Sequence, residues 1–410
     1  MKQPLTASPC RALSGRIKVP GDKSISHRAL ILGALATGRT HIEGLLQAED
    51  VLATARAVAA LGAELRRENG AIEVIGQGVG GLHAPSGDLD FGNSGTGSRL
   101  MLGVVAGHDW QARFTGDASL QRRPMGRVLA PLQRMGLSVA DDGKATLPLT
   151  VRGTRDLIPI RYETPVPSAQ VKSAILLAGL HAPGCTTVIE TLPSRDHTER
   201  LLAYFGAEIA AEETSGGRAI SVRGDAELQG VRMTVPGDPS SAAFAAAAAL
   251  IVPGSDVVLE GVLMNPTRIG FLDTVKEMGG SIELADLRQQ GGEPVGDLRV
   301  RASALRGVTV PPTRAPTMID EYPILAVLAA FAEGETRMQG LAELRVKESD
   351  RLAATAAGLA ACGAEAAIEG DDLIVRGTGR MRGGARIATH MDHRIAMAFL
   401  VAGLGASEAV

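Results

Sequence analysis

Apolar residues run almost unbroken through six segments of the chain: SISHRALILGAL, GTGSRLMLGVVAG, SAQVKSAILLAGL, SSAAFAAAAALIV, DEYPILAVLAAFA and DHRIAMAFLVAGL. A helix with no polar face belongs in a core, so each segment predicts a buried helix. Their starts lie near Ser24, Thr96, Ser168, Ser240, Asp320 and Asp392, a repeat of about seventy residues. Between them lies a second kind of stretch with apolar residues on one helical face only. In DVLATARAVAALGAEL these are Val51, Leu52, Ala55, Val58 and Ala59, and a glycine then ends the helix. The same ending recurs at Gly62, Gly136, Gly206, Gly279 and Gly363. The predicted unit is a buried helix, a strand, an amphipathic helix and two strands.

A further phrase marks the halves. VPGDKS begins at Val19 and VPGDPS at Val235. Six units and a phrase repeated at the midpoint predict an α/β protein of two domains with three units each. The chain crosses between them near Pro20 and Pro236, which places residues 21–235 in one domain and 1–20 with 236–410 in the other. The sixth unit starts at Asp392 and the sequence stops at Val410, so the pattern leaves that unit short by about 25–35 residues. Its second helix and closing strand are then missing.

Composition narrows the function. The 410 residues carry a net charge of −3 and only 3% aromatics, which argues against nucleic-acid binding by field or stacking. Cys10, Cys185 and Cys362 form no disulfide or zinc pattern. MKQPLTASPCRALSGR has no apolar core of a signal peptide, and the longest apolar run, Ala242 to Val252, is too short for a bilayer. The reading is a cytoplasmic protein, by default a monomer.

Charge gathers at the starts of the buried helices. GDKSISHR sets Lys23, Ser24, His27 and Arg28 where helix N-termini favour an anion, against the plainer reading of a capping serine with solvated charges. GNSGTGSRL brings Asn93, Gly95, Thr96 and Arg99 to a glycine-rich helix start. QRRPMGR puts Arg122 and Arg123 before Pro124, read as a first helical residue. SAQVK alone reads as a cap, with Ser168, Gln170 and Lys172. If RVKESDR is helical, Lys347 and Arg351 share a face and repel unless an anion bridges them or Glu348 or Asp350 neutralises them. MIDEYP offers Asp320 and Glu321 as caps or proton acceptors. His390 and His393 form an HxxH without a third ligand, so no metal is expected. GQGVGG (Gly76, Gly78, Gly81) spells a dinucleotide fingerprint, but Pro85 and a turn follow it rather than a helix. This basic surplus, with Asp320 and Glu348 as acids, suits a small polyanion. The chemistry is positioning plus proton transfer, with domain closure to exclude water.

Together, VPGDKSISHR, GNSGTGSRL, RRPMGR, SAQVK, RDHTER, MIDEYPILAV, RVKESDR and DHRIAM resemble the 5-enolpyruvylshikimate-3-phosphate synthase family, from about Leu13 onward. SAQVK and RDHTER are similar to the bacterial subgroup that includes glyphosate-tolerant enzymes. The resemblance implies an inverse α/β barrel-like fold of two three-unit domains, with no metal or organic cofactor. It also implies transfer of the enolpyruvyl group of phosphoenolpyruvate to the 5-hydroxyl of shikimate 3-phosphate, with release of phosphate. Lys23, Ser24, Arg28, Ser168, Ala169, Gln170, Arg195, Asp320 and Lys347 would bind shikimate 3-phosphate. Lys23, Gly95, Arg123, Gln170, Arg351 and Arg394 would bind phosphoenolpyruvate. Asp320 would be the base, Glu348 the donor to the methylene carbon, and Lys23 would share in catalysis. Gly95 stands where tolerant members carry alanine, which implies sensitivity to glyphosate. Two other readings are the sister enzyme UDP-N-acetylglucosamine enolpyruvyl transferase, whose loop cysteine Cys185 does not match, and an inactive ligand-binding form.

Overall fold

The six apolar segments form the helices Lys23–Leu35, Gly95–Ala106, Ala169–Gly179, Pro239–Ile251, Tyr322–Phe331 and His393–Gly405, referred to below as the first to sixth buried helices. The structure is a computed structural model and describes residues 4–68, 70–140 and 145–410. All ten residues of the fifth buried helix are buried. Five of the six starts are capped by a side-chain oxygen that accepts a backbone N–H. The caps are Asp22, Ser94, Ser168, Asp238 and Asp392. The cap of the first is therefore Asp22 and not a serine: Asp22 accepts the Ile25 N–H at 2.8 Å, and Lys23 and Ser24 fall inside the first turn.

Five four-stranded sheets share one topology. In the first unit Arg232–Thr234 runs parallel to Arg39–Glu43, which pairs antiparallel with Ala71–Ile75 and that with Glu64–Glu68. The order repeats in Leu89–Asp90, Gln111–Thr115, Leu149–Arg152, Ser138–Val139 and in Arg161–Glu163, Cys185–Glu190, Gly217–Arg223, Ile209–Thr214. It returns in Ser14–Lys18, Asp256–Leu263, Glu293–Arg301, Ser281–Gln290 and in Thr309–Val310, Glu333–Met338, Asp372–Thr378, Glu365–Glu369. After the sixth buried helix the chain runs to Val410 without a further strand among the described residues, and Val410 exchanges backbone hydrogen bonds with Ala7. The five repeated glycines have φ between +84° and +120°. Only glycine adopts that conformation without strain, so the residue that ends each amphipathic helix also turns the chain into the next strand.

The chain divides into two compact units. The middle unit is Pro20–Pro236 with Gln289–Glu293. The outer unit is the chain up to Val19, Gly237–Arg288 and Pro294–Val410. The short segment Gln289–Glu293, assigned from the sequence to the 236–410 part, thus clusters with the middle unit. The cause is local: Glu293 is fully buried, with its carboxylate 2.7 Å from His197 Nδ1, and Gln290 donates to Thr234 O.

Within the middle unit the second and third buried helices pack backbone to backbone. A Cβ on Gly103 would fall 2.2 Å from Ala174 O, which only glycine permits. That close approach sets the helix starts, Gly95 and Ala169, beside each other.

Candidate active site

At the starts of its three buried helices the middle unit gathers positive charge. Lys23 Nζ lies 3.1 Å from Asp50 Oδ2, and Asp50 stands in the first turn of the Glu49–Ala60 helix. Burial pushes the Asp50 carboxyl up, but Lys23 outweighs it and holds the group below its usual range. His27 is fully buried beneath, its Nδ1 2.8 Å from Thr54 Oγ1. Burial, only partly opposed by Asp50, takes its pKa down to about 3, so His27 is a neutral support rather than a charged ligand.

Arg28 is 4% exposed, and its guanidinium is held through three of its five N–H donors. Its Nε donates to Thr198 Oγ1 (2.6 Å), Nη1 to Ser24 O (2.9 Å) and Nη2 to Ser173 Oγ (2.7 Å). Burial lowers its pKa to about 10 against the pull of Glu199, which leaves it a cation at neutral pH. Arg195, half-buried, lies near enough to lower the Arg28 pKa further.

The second and third helix starts are joined through Gln170, whose Nε2 donates to Thr96 Oγ1 and whose Oε1 accepts from Arg99 Nη1, both at 3.0 Å. Ser168 caps its helix through Val171 N, and Ala169 opens it. Arg123 donates to Asn93 Oδ1 at 2.8 Å. Pro124 is not a first helical residue: Gln121 ends one short helix, Gly126 begins the next, and Arg122–Met125 form the turn between. The turn presents Arg123 towards Gly95, where a Cβ would lie 2.9 Å from Arg99 Nη1 and 3.2 Å from Arg123 Nη1. Burial, then the repulsion of Arg123 and Arg127, brings Arg99 down to about 10. Like charges held this close suit an anion.

The outer unit holds the acids. Lys347 and Arg351 do not share a helix face: the helix starts at Arg351, and Lys347 has extended backbone after the 3-10 turn Ala342–Val346. Lys347 Nζ lies 3.9 Å from Glu343. The Arg351 guanidinium is 1% exposed and meets three carboxylates. Nε donates to Asp392 Oδ2 (2.8 Å), Nη1 to Asp320 Oδ1 (3.2 Å) and Nη2 to Glu348 Oε2 (2.6 Å). Asp392 also caps the sixth buried helix through Arg394 N and accepts from Ser349 Oγ. Burial would raise its pKa, but Arg351 prevails and holds it low.

Asp320 and Glu321 sit in a turn ahead of the fifth buried helix. Arg394 Nη1 donates to Asp320 O at 3.2 Å, and Asp320 and Glu321 keep it protonated against burial. Glu321 is buried on Ser240 Oγ. Burial, opposed by Arg268, raises its pKa.

Asp320, Glu348, Arg351 and Arg394 thus converge, and so do Lys23, Arg28, Gly95, Arg123, Gln170 and Arg195. Asp50, Thr198 and Ser173 carry no local signal of their roles. Asp392 does, as a capping residue before a buried helix. A cleft of about 630 Å³ opens at the opposite ends of the second and third buried helices, lined in part by His108, Trp110, Arg155 and His181.

The model of the family EPSP synthase (3-phosphoshikimate 1-carboxyvinyltransferase) matches residues 8–410. The chain belongs to the EPSP synthase family. The 3-phosphoshikimate 1-carboxyvinyltransferase of Methylorubrum extorquens is 61% identical over 100% of this chain and 91% of its own. That of Afipia carboxidovorans is 63% identical over 98% and 90%. Among solved structures, EPSP synthase from Acinetobacter baumannii superposes with a TM-score of 0.90 at 44% identity, over 99% of this chain and 92% of that one. The fold is therefore the two-domain α/β fold of the EPSP synthase family, and the chain is a transferase of the shikimate pathway. Neither the UDP-N-acetylglucosamine reading nor an inactive binding form is favoured by these relatives.

Proposed function

We propose that the two sets of side chains serve one reaction, in which shikimate 3-phosphate attacks phosphoenolpyruvate. The observations that carry this are, in the middle unit, a basic cluster at three helix starts and, in the outer unit, a guanidinium, Arg351, that holds Asp320 and Glu348 within 3.2 Å of itself. Lys23, Ser24, Arg28, Ser168, Ala169, Gln170, Arg195, Asp320 and Lys347 take shikimate 3-phosphate. Lys23, Gly95, Arg123, Gln170, Arg351 and Arg394 take phosphoenolpyruvate.

Asp320, which accepts a hydrogen bond from Arg351, takes the proton of the 5-hydroxyl as its oxygen bonds to C2 of phosphoenolpyruvate. Glu348 delivers a proton to C3, which turns the methylene into a methyl group. The C2–O bond to phosphate then breaks, the departing phosphate carries away the proton taken up by Asp320, and the methyl returns one proton to Glu348 to restore the double bond. Lys23, Arg123 and Arg394 hold the negative charge throughout.

The test is phosphate release by the purified chain with phosphoenolpyruvate, with and without shikimate 3-phosphate. Release only with both supports the reading. No release from folded protein that binds both substrates would favour the ligand-binding alternative. We place the enzyme in the cytoplasm, as a monomer; among the described residues no helix is long and apolar enough to cross a membrane.

Glyphosate, an anion with a phosphonate and a carboxylate, fits the same guanidinium groups beside Gly95. The Cβ of a G95A variant lies 2.9 Å from Arg99 Nη1 and 3.2 Å from Arg123 Nη1, and both flexible ends must shift. We expect inhibition of the native enzyme below millimolar glyphosate, and G95A to raise both the half-inhibitory concentration and the KM for phosphoenolpyruvate about tenfold or more. Inhibition curves on the two proteins decide it, and full activity of the native enzyme at millimolar glyphosate would sink the idea.

A further inference from the structure

Lys172 of SAQVK is assigned to neither substrate and is wholly buried. Its Nζ lies 2.7 Å from Glu190 Oε2 and 2.6 Å from Glu199 Oε1. Those carboxylates stand at the two ends of one segment: Glu190 closes the strand Cys185–Glu190, and Glu199 lies in the first turn of the helix His197–Tyr204. Residues 191–196 between them form an irregular stretch that is exposed over its first half and carries Arg195. Glu190 also accepts from the hydroxyl and the backbone N–H of Ser194, the neighbour of Arg195.

At the other end, Glu199 follows Thr198, which holds Arg28 Nε and exchanges a 2.6 Å hydrogen bond with Ser173 Oγ. Ser173 also donates to Ala169 O at 2.5 Å. Lys172, Glu190, Glu199 and Arg28 make two buried cations against two carboxylates, with Glu199 the strongest charge favouring the Arg28 cation. Burial of an ammonium with two carboxylates is costly unless the geometry is kept. The cluster is thereby a pin that fixes both ends of the loop.

We propose that Lys172 is a positioning residue which pins the 190–199 segment at both ends and so places Arg195 and Arg28 for shikimate 3-phosphate. This rests on the reading of those two arginines given above. Once the pin is cut, the loop must be ordered at the moment of binding, so the loss falls on affinity for the acceptor. Groups that protonate carbon are untouched.

The experiment compares K172M and E190A with the wild type. E190A removes the Ser194 anchor and leaves Lys172 paired with Glu199, so it serves if K172M does not fold. Trp110, the single tryptophan, lies at the opposite ends of the same helices, and its unchanged emission shows that the unit is intact. We expect KM for shikimate 3-phosphate to rise about tenfold or more in either variant, with kcat and the KM for phosphoenolpyruvate within about threefold. E190Q, which still accepts from Lys172 and Ser194, should recover most of the affinity. Hydrogen exchange of residues 191–196 should quicken in E190A without any substrate present. Unchanged KM and unchanged exchange in E190A overturn the proposal, as does a loss confined to kcat. Failure of the wild type to bind shikimate 3-phosphate would instead remove the reading of the arginines, while the exchange comparison still decides whether the loop is pinned.

Discussion

Replacement of Arg351 by methionine is expected to lower the unfolding temperature of the outer unit by about 6–20 °C and to leave no measurable turnover. The guanidinium is 1% exposed and is shared by Asp320, Glu348 and Asp392. Without it three carboxylates face one another, and loss of one partner of a buried ion pair costs about 3–5 kcal/mol. Lysine is a poor substitute, because one ammonium cannot span three carboxylates as the planar fork does. R351K should therefore keep part of the stability and little of the activity.

The effect has a defined dependence on pH. Asp392 has a folded pKa below its unfolded value of about 3.9. Its contribution is thus complete above about pH 4 and is lost as pH falls through the folded value. R351M lacks that contribution and suffers repulsion between carboxylates that acid relieves. The gap in unfolding temperature between the two proteins should be widest near pH 7 and narrow as pH falls below about 4. A gap that is constant from pH 7 to about pH 2, measured by calorimetry, would show that Arg351 acts through packing and not through charge.

Glu348→Gln and Asp320→Asn are each expected to cut kcat by about 10²–10⁴-fold, for different reasons. Glu348 lies 2.6 Å and Asp320 3.2 Å from Arg351, so both amides keep an acceptor for the guanidinium and the outer unit should stay folded. In deuterated water the wild type should place deuterium in the methylene of phosphoenolpyruvate and product, because the methyl group formed by Glu348 can return any of its hydrogens. Glu348→Gln should abolish that exchange and still bind shikimate 3-phosphate. Asp320→Asn should slow addition and raise the KM for shikimate 3-phosphate. Exchange at the wild-type rate in Glu348→Gln would reassign the proton donor.

Much of this could be read along the chain, because it depends on local rules. Helices without a polar face, and glycines at the ends of the intervening helices, stand in the sequence as patterns of a dozen residues. So do the motifs that carry the family resemblance. RVKESDR and QRRPMGR were legible as charged clusters and misread in geometry. Lys347 and Arg351 are four apart in sequence, but the helix begins at Arg351, where Asp350 caps it. Pro124 looks like a helix start, yet Arg122–Met125 bridge two helices as a turn.

SAQVK, taken alone, suggested no more than a cap. Lys172 acquires its partners from a strand and a helix that the chain reaches only later. Nothing in the spacing of Arg28 points to Thr198, 170 residues on, or in that of Lys23 to Asp50.

The sequence by itself determined the repeat, the buried helices, the cap at Ser168 and the family. Each of these is a property of a short window, set by side-chain polarity against backbone hydrogen bonds. Only the tertiary structure decided which charges meet. That outcome depends on how closely whole helices approach, as Gly103 and Ala174 do, and burial then makes each ion pair strong enough to override what its sequence neighbours would suggest.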